Sequence, residues 1–181
     1  MDIATVKYNS AGVQQWVARW NNAAVNSRDA GYAIALNDSE TTVYVTGETK
    51  NKPGRVDYVT VAYSASTGAQ LWVQTYDGPG SKTDRAYAIA ADPAGDVIVT
   101  GESDGGGTKA DYATIKYDGL VGTQLWVSRY DAISKKDYAF AITTDTANNV
   151  FVTGASTGSA RFDYTTIKYE SHGNHLWVAR Y

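Results

Sequence analysis

The chain of 181 residues has a formal net charge of −3, with 16 lysines and arginines against 19 aspartates and glutamates. This balance lacks the basic excess of a nucleic-acid-binding surface, so no nucleic-acid partner is predicted. The absence of cysteine excludes disulfides, thiolate metal sites and cysteine nucleophiles. No segment approaches the roughly 20 apolar residues of a membrane-spanning helix, and no membrane partner is predicted. Fourteen tyrosines and five tryptophans against three prolines favour strands over helices.

Two kinds of predicted hairpin alternate along the chain. The first kind begins at 2–20, where DIATVKY is followed by a short turn and a tryptophan strand. The second kind begins at 31–48, where large and small apolar residues alternate around a polar turn. Both kinds then recur, the first at 57–76, 111–130 and 163–181, and the second at 86–102 and 138–155. Slightly more than 50 residues separate the tryptophans of the first kind, an interval typical of repeat architectures: Trp16, Trp72, Trp126 and Trp177.

Each complete repeat therefore contains four predicted strands. Their apolar side chains point both ways, as expected for sheets that are covered on both faces. A four-stranded antiparallel sheet between similar sheets is a propeller blade, so the sequence predicts an all-β propeller of about three and a half blades. The predicted complete blades are 30–76, 84–130 and 137–181, and 2–20 is the outer hairpin of an incomplete blade. A Thr-Gly pair is predicted to close the second strand of each blade through a positive φ, at Gly47, Gly101 and Gly154.

Two segments resemble a known repeat. DYATIKYDGLVGTQLWVSRY at 111–130 and DYAFAITTDTANNVFVTGAS at 137–156 are similar to the bacterial β-propeller repeat called SBBP, for seven-bladed beta-propeller. The resemblance extends over nearly the whole chain. It implies a binding or scaffolding module from exported or surface-attached bacterial proteins, and it supplies no catalytic residues. Because residues 1–20 already belong to the repeat, no signal peptide is expected before it in this sequence.

A second similarity concerns SASTGAQLW at 64–72, which resembles the tryptophan-docking repeat of quinoprotein propellers. That repeat places a Thr-Gly pair shortly before its tryptophan, and only Thr67-Gly68 reproduces the pair here. No vicinal cysteine pair is present either. A pyrroloquinoline quinone enzyme is therefore not favoured, and no cofactor is predicted.

The unequal number of the two hairpins has an energetic consequence. Three complete blades and an outer hairpin cannot form a closed ring without exposing two large apolar faces, which soluble monomers rarely expose. Either the chain is a fragment of a longer propeller or it associates with copies of itself. Because near-identical repeats exchange easily between copies, the sequence predicts a homodimeric ring of six full blades with extra hairpins.

Charged residues are distributed unevenly among the predicted turns. The turns within hairpins carry acids and no lysine or arginine, which favours turn chemistry over weak cation binding. No metal site is predicted, because the dense oxygen ligation that calcium requires is missing. The acids concerned are Asp38, Glu40, Asp92, Asp96, Asp118, Asp145 and Glu170.

The residues just before each alanine-rich strand are predicted to rim the central channel. They are Arg28, Asp29, Asp84, Arg85, Lys136 and Asp137. Two interpretations remain open for them. The recurrent aspartates can accept backbone hydrogen bonds that hold adjacent blades together. Alternatively, the variable cations can bind a carbohydrate or a polyanion at the rim.

The sequence thus favours a non-catalytic scaffold or interaction module. The alternative is a lectin-like propeller that binds a carbohydrate or polyanion, and a remote alternative is a quinoprotein-like or glycan-active enzyme. No catalytic residue is predicted. His172 and His175 flank a predicted exposed turn, which cannot orient an imidazole as a catalytic triad requires.

Overall fold

The computed structural model describes residues 2–23, 28–52, 55–133, 135–158 and 161–181. All regular structure within these residues is β-strand, and none of them forms a helix that could cross a bilayer. The strands are β1 Ile3–Tyr8, β2 Gln14–Trp20, β3 Asp29–Leu36, β4 Thr42–Lys52, β5 Arg55–Ser64, β6 Gln70–Tyr76, β7 Asp84–Ala91, β8 Val97–Asp104, β9 Ala110–Tyr117, β10 Gln124–Tyr130, β11 Asp137–Thr144, β12 Val150–Thr157, β13 Phe162–Tyr169 and β14 His175–Arg180.

The strands form one hairpin and three antiparallel four-stranded sheets, each with its strands in chain order. The hairpin consists of β1 and β2. Blade 1 is β3–β6, blade 2 is β7–β10 and blade 3 is β11–β14. The first strands of successive blades contact one another, β3 with β7 and β7 with β11, as the inner strands of a propeller do. This architecture confirms the predicted all-β propeller of about three and a half blades.

The apolar cores lie between successive sheets. One core lies between the hairpin and blade 1, a second between blades 1 and 2, and a third between blades 2 and 3. Strand β5 shows the consequence, because Tyr58, Val59, Val61, Ala62 and Tyr63 are all buried although alternate side chains point to opposite faces. A sheet is therefore buried on both faces only where a neighbouring sheet covers each face.

The Thr-Gly glycines have a different role from the predicted one. Gly47, Gly101 and Gly154 lie inside the second strand of their blades, and their φ angles are outside the left-handed region. A Cβ on each would lie 1.8–1.9 Å from a backbone carbonyl oxygen of the neighbouring first strand. That strand carries a bulge at this level in every blade, which brings the two backbones close together. The prediction of a strand end with positive φ is wrong, and close backbone approach is what requires glycine here.

Candidate functional site

Each blade-to-blade joint is built around a tryptophan that docks on the next sheet. Its indole lies over a glycine of positive φ in the last turn of that sheet: Trp16 over Gly68, Trp72 over Gly122 and Trp126 over Gly173. Its Nε1 donates a hydrogen bond of 2.9–3.1 Å to a carbonyl oxygen of the same turn: Trp16 to Ala65, Trp72 to Gly119 and Trp126 to Ser171. A Cβ on these glycines would lie 2.7–2.8 Å from the ring, so only glycine fits beneath the indole.

Two of the joints add a buried tyrosine that donates across the same interface. The Oη of Tyr58 donates to Ala113 O, and the Oη of Tyr112 donates to Thr165 O, each at 3.1 Å. Burial raises the pKa of Tyr58 and Tyr112 well above the usual value, so both phenols stay protonated as donors. Each of these joints therefore combines apolar contact with directional bonds from an indole and from buried tyrosine, which set the register between sheets. In the joint between blades 1 and 2, the Oη of Tyr44 adds a third such bond, to Gly119 O at 3.1 Å.

Blade 3 presents the same residues on a surface that no other described sheet covers. We term this the outgoing surface and define it by Tyr164 and Trp177. Tyr164 is 75% exposed, whereas its equivalents Tyr58 and Tyr112 are 0% exposed. Trp177 is 43% exposed, compared with 7% for Trp72. The outgoing surface thus exposes the side chains that form a joint elsewhere in the chain.

The hairpin carries the complementary half of a joint. We term this the incoming surface and define it by Val6, Tyr8, Ser10 and Gly12. Tyr8 is 58% exposed, whereas its equivalents in the three blades are at most 2% exposed: Tyr63, Tyr117 and Tyr169. Gly12 has a φ of 74°, in the range of the docking glycines, and no described atom outside residues 11–13 lies within 4 Å of the position of its Cβ. The turn therefore has the docking conformation on an open surface.

The predicted rim residues separate into two groups. Asp29, Asp84 and Asp137 are completely buried. Each accepts a hydrogen bond of 3.1 Å from a backbone N–H of the preceding loop: Asn22, Gly78 and Ala132. Their carboxylates are therefore not exposed at the channel rim, which corrects their placement there. The preceding loop covers these carboxylates and uses them as acceptors, as the structural interpretation expects.

The three cations of the predicted rim differ in their contacts. Arg28 and Lys136 are exposed. Arg85 instead donates to Glu48 at 2.6 Å and to Glu102 at 2.8 Å. Its guanidinium therefore links blade 1 to blade 2 and is balanced by two carboxylates. Carbohydrate or polyanion binding at the rim stays a prediction.

A row of aromatic rings follows the inner strands. Tyr32, Tyr87 and Phe140 are the bulged residues of β3, β7 and β11, and neighbouring ring centroids are 6.1 and 5.8 Å apart. Tyr87 and Phe140 also line a cavity of about 680 Å³ together with Arg85 and Lys136. The sequence shows an aromatic three residues after each buried aspartate, but it does not show the bulge that aligns these rings.

Residues 125–162 match the model of the SBBP beta-propeller repeat. The matched segment runs from β10 of blade 2 to the start of β13 in blade 3, so it includes one passage between blades. The resemblance found in the sequence is confirmed over these residues. No curated protein matches this chain.

Solved structures show the same fold at low sequence identity. The WD40 repeats of RRP9 give a TM-score of 0.65 at 10% identity, over 96% of this chain and 44% of that chain. U3-55K gives 0.62 at 7% identity, over 98% of this chain and 58% of that chain. Quinohemoprotein alcohol dehydrogenase from Comamonas testosteroni gives a TM-score of 0.57 at 11% identity, over 98% of this chain and 32% of that chain. This chain spans less than two thirds of each, and the likeness extends to the fold alone.

Asp84 should make the stability of the protein depend on pH. Burial raises the pKa of Asp84 from 3.8 to about 6. Hydrogen bonds with Ser103 and Gly78 act to lower this pKa but offset the burial only in part, and the negative charges of Asp57 and Asp77 raise it further. The folded state therefore holds a proton that the unfolded chain has released, and stability falls as the pH rises from about 4 to 6. Asp84→Asn should be up to about 3 kcal/mol more stable than wild type at pH 7, and equal to it below pH 4. Urea denaturation at several pH values measures the difference.

Asp137→Asn is the matched control and should have the opposite effect. Both carboxylate oxygens of Asp137 accept backbone N–H bonds of 3.1 Å, from Thr157 and Ala132. An asparagine side chain can accept only one of them and leaves the other N–H unsatisfied, which costs about 1–3 kcal/mol. A gain for Asp84→Asn that is the same at pH 4 and pH 7 would contradict the assignment to a buried charge.

The acids of the turns within hairpins support the turn interpretation. Asp118 Oδ1 accepts the backbone N–H groups of Leu120 and Val121 at 2.8 and 3.0 Å. Asp145 Oδ1 accepts those of Ala147 and Asn149 at 2.9 Å. Each carboxylate therefore closes its own turn through local backbone bonds.

Proposed function

We propose that this chain is a non-catalytic β-propeller module that assembles with copies of itself through its outgoing and incoming surfaces. The contrast between Tyr164 and its equivalents carries the proposal, because a side chain that is fully buried in two joints is 75% exposed at the end of blade 3. Aromatic residues supply a large share of the energy of protein interfaces. Exposed apolar patches on soluble proteins mark interaction sites.

The contacts of the ionisable side chains support a non-catalytic role. Lys116 forms ion pairs with Asp92 at 2.7 Å and Asp96 at 3.1 Å. Arg129 pairs with Asp111 at 2.9 Å. These groups fix turns and strands to one another. A catalytic acid or base would instead be available to a substrate rather than bonded to a neighbouring side chain.

The molar mass in solution tests the proposal. Light scattering on a size-exclusion column should give twice 19.5 kDa, and the mass should fall towards that of one chain on dilution. A mass of one chain at every concentration, together with a single cooperative thermal transition, would contradict self-assembly. The outgoing and incoming surfaces would then be tolerated on a monomer or belong to a longer propeller.

A further inference from the structure

We infer that the outgoing surface of one copy docks on the incoming surface of a second copy in the register of the internal joints, with the indole of Trp177 over Gly12. The inference rests on the proposed function and specifies its contact. Three joints within the chain show what this contact is: an indole over a glycine of positive φ, with Nε1 bonded to a carbonyl of the same turn. One further indole and one further glycine of this kind lie on the two end surfaces.

The turn of the hairpin matches the docking turn of blade 3 in length and hydrogen bonding. In the hairpin, the Gly12 N–H donates to Asn9 O at 2.9 Å. In blade 3, the Gly173 N–H donates to Glu170 O at 2.9 Å. The φ angles of Gly12 and Gly173 are 74° and 88°. The turn that receives Trp126 inside the chain is therefore reproduced on the incoming surface.

This match assigns the hydrogen bond of the indole. Ser10 stands two residues before the glycine of its turn, as Ser171 does in blade 3. The carbonyl of Ser171 accepts a hydrogen bond from Trp126 Nε1 at 2.9 Å. The Nε1 of Trp177 accordingly donates to the carbonyl of Ser10 in the second copy.

The remaining contacts follow from the same register. Ala4 stands at the strand position of Thr165, whose carbonyl accepts a tyrosine Oη in the joint between blades 2 and 3. The Oη of Tyr164 therefore donates to the carbonyl of Ala4. Tyr8 stands at the position of Tyr169, whose ring centroid lies 6.1 Å from the docked indole. The exposed rings of Tyr8 and Trp177 form the equivalent pair.

The geometry of the ring favours two copies. The contact joins two different surfaces, so it forms either a closed ring or an open filament. Each chain supplies four blade positions, the hairpin and three complete blades. Two copies therefore give eight positions, at the upper end of the usual range of about 4–8 blades, and three copies would exceed it. The homodimer has two equivalent joints, and two of its positions contain only an outer hairpin.

Gly12→Asn tests the register. Asparagine tolerates a positive φ better than most residues, so the turn should still form, but its side chain occupies the place of the indole. We expect the dissociation constant of the dimer, measured by sedimentation equilibrium, to rise at least about tenfold. Gly95→Asn is the matched control, because Gly95 also has a positive φ and no described atom within 4 Å of its Cβ position. Asparagine is compatible with this position, because blade 3 has Asn148 at the turn position equivalent to Gly95, with a φ of 60°.

A mixing experiment tests the head-to-tail direction. Trp177→Ala removes the docking indole and should also weaken the dimer at least about tenfold. In an equimolar mixture, the outgoing surface of the Gly12→Asn chain can still dock on the incoming surface of the Trp177→Ala chain. We expect the mixture to associate more tightly than either variant alone, because one joint is intact.

The outcomes separate the register from the proposed function. Unchanged association of Gly12→Asn, or a mixture no tighter than its components, would overturn the inferred register while self-assembly stands. A wild-type chain that never associates would overturn self-assembly itself. Circular dichroism and thermal melting of each variant must match the wild-type monomer, which excludes unfolding as the cause of dissociation.

Discussion

Truncation of Trp72 to alanine is expected to lower the free energy of unfolding by about 3–5 kcal/mol, the range for large buried aromatic side chains. Trp72 is 7% exposed, and its ring centroid lies 5.8 Å from that of Tyr44 and 6.2 Å from that of Tyr117. Its Nε1 donates to Gly119 O at 3.1 Å. The substitution removes both the apolar contact and the hydrogen bond that hold blade 1 on blade 2.

Urea denaturation followed by circular dichroism measures this loss. Trp177→Ala is the matched control, because Trp177 occupies the same strand position in blade 3 and is 43% exposed. Both substitutions are compared in the Gly12→Asn background, so that association does not contribute to stability. We expect the control to lose less than half as much free energy of unfolding as Trp72→Ala. Equal losses would mean that the indole stabilises its own hairpin rather than the joint.

The repeat made the architecture predictable. Strands that are apolar on both faces require a sheet on each side, and the blades have that arrangement. The sequence also shows a regular spacing for the docking glycines, each of which stands four residues before a tryptophan: Gly12, Gly68, Gly122 and Gly173. The sequence does not show which tryptophan each glycine contacts. In the structure, each docked glycine lies under the indole of the preceding sheet rather than under the tryptophan of its own hairpin. Sequence spacing within one hairpin contains no information on which sheet covers it.

One feature was predicted with the wrong physical cause and another with the wrong exposure. Gly47 was assigned to a positive φ, whereas a close approach to the Ala30 carbonyl requires it. Both causes select glycine, so the residue type alone does not distinguish them. Asp84 and Asp137 were placed on the channel rim, whereas the loop before their strands covers them. The strand order sets the edge at which a residue lies, but the path of the adjoining loop decides its exposure.

Replacement of Lys116 by methionine is expected to cost about 3–5 kcal/mol of stability, because it leaves a buried carboxylate without its counter-charge. The Lys116 Nζ lies 2.7 Å from Asp92 and 3.1 Å from Asp96, and the side chains of Lys116 and Asp92 are 5% and 0% exposed. Burial acts to lower the pKa of Lys116, but the bonds to the two aspartates outweigh it and raise the pKa. Lys116 is therefore charged in the folded state at neutral pH.

Lys168→Met provides the matched control in the next blade. Lys168 occupies the same strand position, but its Nζ lies 3.6 Å from Asp145 and both side chains are partly exposed. We expect a loss of less than about 1 kcal/mol there, as for other accessible ion pairs. In the Lys116→Met chain, the further substitution Asp92→Asn removes the unpaired charge and should restore at least half of the lost stability. Asparagine retains the Oδ1 that accepts the Asp96 N–H at 3.0 Å. If stability is not restored, the loss comes from the missing contact between the Lys116 ammonium and Asp96, rather than from an unpaired charge on Asp92.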